Sequence, residues 1–242
     1  MSSLGPAELP FEQFAEDGRL PRIVSVQDKL ESGNIAIGLR SQSGVVLATE
    51  GNELSSLRGL YNIEARIGLA VSGVGSVGQT LVDIARTECS TYKSNFGADM
   101  GLRELQARLA TYIHGHTISS VIQPLEVRLL CASYDEAGPM LYVVEPSGDS
   151  RGCYGAISGK GRDSVMKRLK DVNLSSLSLT ELAKEATVMA YLANGKARIE
   201  IELGLIGETT GMRFELASPQ LLTECHNHAN MVMQMLGRCD KH

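Results

Sequence analysis

Residues 67–78 read IGLAVSGVGSVG, a short apolar, β-prone run that stops in a dense glycine turn, and a helix-periodic run follows at once over 79–94. What comes after the turn limits the fold more than the turn itself. A helix expected over 76–93 gathers Val77, Leu81, Ile84, Ala85, Cys89 and Tyr92 into one apolar stripe. The loop 94–101 (SNFGADMG) breaks it. A second helix over 102–119 then places Leu102, Leu105, Leu109, Tyr112, Ile113 and His116 on one face. Two helices in succession do not carry the chain back into a parallel neighbouring strand, so the alternation of a doubly wound sheet fails at its first unit.

The turn also contains Gly73-Val74-Gly75-Ser76-Val77-Gly78, a literal G-x-G-x-x-G. After a strand and before a helix, that pattern can hold a dinucleotide pyrophosphate on the helix N-terminus. It also needs a returning parallel strand ending in an acid roughly 20 residues on. Here Asp99 falls in a loop and Glu104 at a helix start. A tight packing turn therefore accounts for Gly73–Gly78 better than a dinucleotide-binding oxidoreductase, which stays as the remote alternative.

The rest of the chain repeats the same grouping. Pro21 suits a first helical position, with a helix expected over 21–31. Strands follow at 34–40 and 45–50 around the hairpin turn Ser41-Gln42-Ser43-Gly44, and at 60–63 and 67–72. After the helix pair, strands are expected at 127–134, 140–144 and 151–158, helices at 161–170 and 179–194, strands at 198–206 and 212–216, and a last helix over 220–236 capped by Ser218. Strands in runs and helices in pairs point to an α+β fold, antiparallel sheets with paired helices outside.

Composition narrows the function classes. The chain has 242 residues, 43% hydrophobic and 21% charged, an ordinary globular balance that supports a sizeable core without disulfide staples. A net charge of -5 and the absence of Trp argue against nucleic acid as a partner. No apolar run approaches the ~20 residues of a membrane span, and residues 1–10 lack the basic and apolar regions of a secretory signal. Cys89, Cys131, Cys153, Cys225 and Cys239 are odd in number and form no C-x-x-C, as free thiols of a reducing compartment do.

Other motifs fall short. Before Gly159-Lys160 a phosphate loop needs a glycine where Tyr154 stands, and after it Ser or Thr where Gly161 stands. His114 and His116 are two apart, not the four that share a helix face. Cys225, His226, His228, Cys239 and His242 match no zinc spacing. Lys167, Arg168 and Lys170 form a short basic helix face that solvent accounts for. No cofactor or metal is expected.

In order and spacing, a set of motifs over 14–236 resembles the alpha-type subunits of the eukaryotic 20S proteasome, most of all the seventh alpha type, in the amino-terminal nucleophile hydrolase superfamily. Phe14-Ala-Glu-Asp-Gly-Arg-Leu resembles the family's F-S-P-E/D-G-R-L/V lead into its first helix. Residues 33–50 resemble its first hairpin. Ala70-Val-Ser-Gly73, Asp83-Ile-Ala-Arg-Thr-Glu, Ser94-Asn-Phe-Gly, Pro146-Ser-Gly, Ala156-Ile-Ser-Gly-Lys and Thr209-Thr-Gly follow in register.

The resemblance implies a four-layer αββα sandwich of two antiparallel sheets flanked by helix pairs, with an extra N-terminal helix. It implies a mobile N-terminal arm, 1–13, acting as a gate, and one proteasome alpha-type domain, 14–242. Active relatives, the beta subunits, use a Thr freed as the first residue, with an Asp and a Lys. Those positions fall at Asn34, Glu50 and Arg66, so the resemblance implies a non-catalytic structural and gating subunit. An active hydrolase of the same fold is the alternative. The implied partners are other alpha subunits in a heptameric ring, beta subunits and regulatory particles, in cytoplasm and nucleus, without nucleic acid or membrane. The pocket for activator tails falls at Gly33, Arg58 and Val74, with Val24 in place of its acid and Gly59 in place of its lysine. The gate's Tyr-Asp falls at Ala7-Glu8. By the same resemblance, Ser72-Gly73 sits where active relatives place the backbone of their oxyanion hole.

Overall fold

A computed structural model describes residues 18, 21–51, 59–119, 123–195 and 199–239. The expected arm 1–13, Ala7-Glu8, most of the motif at Phe14, Arg58 and His242 lie outside them. Among the described residues six α-helices and ten strands follow in order: α1 Pro21–Ser32, β1 Ala36–Arg40, β2 Gly44–Glu50, β3 Leu60–Glu64, β4 Ile67–Gly73, α2 Gly75–Phe96, α3 Leu102–Ile118, β5 Val127–Asp135, β6 Gly138–Val144, β7 Ser150–Gly152, β8 Gly155–Ser158, α4 Arg162–Asp171, α5 Leu179–Asn194, β9 Ile201–Gly207, β10 Glu215–Leu216 and α6 Pro219–Cys239.

The strands form two antiparallel sheets, ordered β10-β9-β2-β1-β8 and β3-β4-β5-β6-β7. Three apolar clusters separate four layers. Ile37, Leu39 and Val46 of the first sheet pack with Leu182, Val188 and Tyr191 under α4, α5 and α6. Leu69, Val71 and Leu129 of the second pack with Leu81, Leu105 and Leu109 under α2 and α3. Between the sheets lie Val45, Leu47, Ala70, Leu130, Leu141 and Phe214. Strands covered on both sides lose polar alternation, which is why β5 and β2 are almost continuously buried. The α+β four-layer sandwich is thus the observed fold, with three helices rather than two over the first sheet.

Local chemistry sets the boundaries. Gly44 turns the β1–β2 hairpin at φ +152, and a Cβ there would lie 2.3 Å from the Ile206 carbonyl oxygen, so only glycine fits beside β9. Ser178 and Glu181 form a reciprocal capping box that starts α5, and Gly195 in the left-handed region ends it. Ser218 Oγ accepts the Leu221 amide at 3.2 Å at the start of α6.

Three expectations change. The single strand 151–158 is two: β7 pairs with β6, the chain breaks at Cys153 and Tyr154, and β8 pairs with β1 in the other sheet. Nothing local in RGCYGAIS marks that crossover, whose cause is pairing with strands far away in the chain. The strand 212–216 shrinks to Glu215–Leu216, because Gly211 and Met212 both adopt positive φ and Thr210 Oγ1 donates to the Arg213 carbonyl at 2.7 Å, closing a tight turn. Tyr112 is 40% exposed rather than on the buried face of α3; the buried arc runs through Leu105, Leu109 and Ile113 toward Ala110 and Thr117.

Candidate functional site

The register of three strands assembles a site at one end of the first sheet. Ala36 pairs with Thr49, and the Glu50 amide donates to the Ile35 carbonyl at 3.1 Å, so the end of β2 returns beside the start of β1. On the other flank Ala36 pairs with Ser158, which brings Lys160 alongside; its amide donates to the Gly33 carbonyl at 3.1 Å. Lys160 Nζ then reaches Glu50 Oε1 at 2.9 Å, a partly exposed ion pair. Asn34, Glu50 and Lys160 are neighbours.

Arg66 is not among them. It is exposed in the turn joining β3 to β4. There it is a lesser influence on Asp99, whose carboxyl is held below the usual range first by a hydrogen bond and charge from Lys93. Gly59, just before β3, is what meets Glu50's neighbour: its carbonyl accepts the Val71 amide at 2.8 Å, and a Cβ on it would lie 2.8 Å from Thr49 Cβ. Thr49 Oγ1 and Glu50 Oε2 are buried without a partner among the described residues.

The Gly33–Asn34 junction is tied into the body of the sandwich. The Asn34 carbonyl accepts Ser72 Oγ at 3.0 Å, Ser72 Oγ accepts Ser158 Oγ at 2.9 Å, and Ser158 Oγ accepts Arg128 Nη1 at 3.1 Å. Arg128 Nε donates to Glu145 Oε2 at 2.6 Å, and Arg151 Nη2 to Glu145 Oε1 at 2.9 Å. Ser72, Ser158, Arg128 and Glu145 are buried. This chain of bonds runs through β4, β8 and β5 to Glu145 just after β6 and Arg151 on β7, linking the two sheets at the end where β1 begins. Chemically it is a brace. Ser72 gives its proton to a backbone carbonyl rather than to a side-chain base, and Asn34 offers an amide where a nucleophile would need a hydroxyl or thiol.

α1 closes over this end. Leu30 packs where a Gly73 Cβ would stand, at 2.6 Å, and Gly73 has φ +122. Lys29 pairs with Glu126, and the Glu126 carbonyl accepts the Val74 amide at 2.9 Å. Arg22 donates to the Ser119 carbonyl at 2.7 Å and to the Thr117 carbonyl, capping the C-terminal end of α3. Gly33 and Val74 therefore flank the same end of the sandwich, Val74 40% exposed, with Val24 half-buried on α1.

The glycine turn is a packing device. A Cβ on Gly78 would lie 2.4 Å from Val71 Cγ1, so the glycine lets α2 sit directly on β4. The Glu126 carbonyl takes the Val74 amide of the same turn at 2.9 Å. His114 meets the Ser147 carbonyl at 3.1 Å, whereas His116 stacks near Tyr112. Cys225 is buried while His226 meets the Tyr191 hydroxyl at 2.8 Å. Among the described residues no three His, Cys, Asp or Glu side chains converge to hold a metal, and no helix is long and apolar enough to cross a membrane. In the sequence Lys160 figures as a failed phosphate-loop lysine and as the end of the motif Ala156-Ile-Ser-Gly-Lys; its pairing with Glu50 depends on the β1–β8 register, which the residues alone do not state.

Comparison with known proteins places this geometry. The proteasome subunit family matches residues 30–203. A proteasome subunit alpha type-3 of Drosophila melanogaster is 33% identical over 235 residues, 93% of this chain and 92% of the relative. A protein of Schizosaccharomyces pombe described as a probable proteasome subunit alpha type-7 is 32% identical, covering 96% of this chain and 95% of its own. A proteasome subunit alpha type-3 of Acanthamoeba castellanii is 28% identical over 94% of both chains.

Proposed function

Since the chain belongs to the proteasome subunit family, we propose that it works as a non-catalytic subunit of the alpha ring of a 20S proteasome, assembled with other proteasome subunits and serving protein degradation. One observation carries the absence of catalysis: the residue after Gly33 is Asn34, and its peptide carbonyl is held by Ser72 behind a packed helix. A nucleophile of this superfamily needs a side-chain hydroxyl or thiol and a freed amine of its own. Asn34 supplies neither, and release of an amine there would break the contacts of α1 with β4 and α3. Glu50 and Lys160 form an ion pair in place of an acid and lysine serving a nucleophile, and Arg66 lies in a turn apart from them.

Ring neighbours, beta subunits and regulatory particles are the proposed partners, in cytoplasm and nucleus. The arm 1–13 would contribute to the gate, and residues 14–242 form one alpha-type domain. A pocket for activator tails would use Gly33 and Val74, which share one end of the sandwich, and Arg58. With Val24 and Gly59 at positions that carry charge in the family pattern, weak tail binding at this subunit is expected.

Activity of the purified chain and of its Asn34→Thr variant toward fluorogenic peptides tests the catalytic part. Neither is expected to release product above buffer. Turnover that appears with Asn34→Thr, or that depends on Glu50, contradicts it.

A further inference from the structure

α6 packs into the body of the sandwich through Leu222, Cys225, Ala229 and Met233. Its outer arc carries a different chemistry. Met231 is 54% exposed and Met235 65%, while the other methionines of the described residues are buried or half-buried. A thioether commonly fills a gap in a core. These two serve no core. They stand four residues apart on one helix, and His228 stands three residues before the first of them. At 3.6 residues per turn His228, Met231 and Met235 fall within roughly 60° of arc. Side chains at such spacings start from Cβ atoms about 5–6 Å apart.

The two histidines of α6 differ. His226 is engaged, its Nδ1 2.8 Å from the Tyr191 hydroxyl of α5. His228 lies about 160° round the helix from it, half-buried, and meets no hydrogen-bond or ion-pair partner among the described residues. α6 has a single carboxylate, Glu224, and Lys184 holds it at 3.6 Å. The arc therefore offers two thioethers and an imidazole without a free anionic oxygen. Counted by cysteine and histidine alone, the helix matches no zinc spacing. Counted with methionine, it carries H-x-x-M-x-x-x-M on one face. Donor softness then chooses the ion. Calcium, magnesium and manganese take carboxylate and carbonyl oxygens, zinc takes thiolate, imidazole and carboxylate, and thioether sulfur selects copper(I), which imidazole also suits. The thiols of Cys89 and Cys131, which burial pushes up to about 11 and about 12, stay protonated inside the fold and do not compete.

We propose that His228, Met231 and Met235 form a surface site for copper(I), held by two thioether sulfurs and one imidazole nitrogen. The helix sets the spacing of the donors, and the three rotatable bonds of each methionine let both sulfurs close on an ion beside the imidazole. The ion enters directly from solvent. It keeps its oxidation state, and the imidazole binds in its neutral form. The site belongs to this chain alone and does not depend on ring membership.

Methyl NMR of the full chain with isotope-labelled methionine, free or in the particle it enters, tests it during an anaerobic titration with the copper(I)–acetonitrile complex. Cys239 follows Met235 by four residues, so the titration is run with Cys239→Ser to remove that thiol. The methyl signals of Met231 and Met235 are expected to shift together and to level off at one ion per chain, with the ring protons of His228 moving in step. Zinc(II) at the same concentrations is expected to move neither methyl. Met231→Leu, an exposed and volume-conserving change, is expected to abolish the shift at Met235 and to leave the signals of the buried methionines in place, which shows that the variant is folded. No shift at either methyl overturns the assignment. So does an equal response to zinc(II), a shift at Met235 that survives Met231→Leu, or a shift spread over the methionines without preference for these two.

Discussion

At the scale of single residues, Phe214 shows how close the two sheets come. Its ring fills the space beside Gly68 and Gly204, where a Cβ would fall 2.2 and 2.4 Å from ring atoms. Phe214→Ala leaves a cavity between layers, and a loss of about 3 kcal/mol or more in denaturant unfolding is expected. Gly204→Val forces the opposite fault, overpacking, and should also lower the midpoint. The thiols make a pH-dependent case. Burial pushes Cys131 from the ordinary 9.0 up to about 12, and burial likewise pushes Cys89 and Cys153 to about 11. A raised folded pKa contributes stability that is complete below pH 9 and is lost as pH climbs toward 12. Native alkylation by iodoacetamide at pH 8 should therefore spare Cys131 until the chain unfolds. The family resemblance put Asn34 and Glu50 forward, and the β1–β2 hairpin does bring them together. Lys160 could not be placed beside them from the sequence, since more than a hundred residues separate it from Glu50 and only sheet register joins them.

Elements carry the next set of consequences. Ser178 accepts from the Glu181 amide while Glu181 accepts from the Ser178 amide, so Ser178→Ala removes half of the box that starts α5 and should cost about 1 kcal/mol. The brace between sheets is more sensitive. Arg128→Met would leave Glu145 buried against one exposed partner, Arg151, and a loss of about 3–5 kcal/mol is expected. Adding Glu145→Leu should recover much of it, which a double-mutant cycle in urea would read directly. The apolar stripe of α2 and the Ser218 cap of α6 were legible because both are local patterns. The split of 151–158 into β7 and β8 was not, because its cause is pairing with two distant strands. The same holds for β10, cut short by Gly211 and Met212 rather than by any loss of apolar character.

For the whole molecule, the order of elements was the informative signal. Two helices after the glycine turn excluded a parallel sheet, and the same grouping over the rest of the chain gave two antiparallel sheets between helical layers. The last helix was expected, but its place as a third helix over the first sheet was not, because its packing on α5 is a contact no spacing announces. The central claim concerns the assembly: an intact, non-catalytic chain in a proteasome ring. Native mass spectrometry of the tagged chain purified from cells, followed by the intact mass of the released subunit, tests it most directly. The account predicts a large particle in which the chain keeps α1 joined to β1 through Gly33 and Asn34. A chain found alone, or one cut to begin at Asn34, would contradict it.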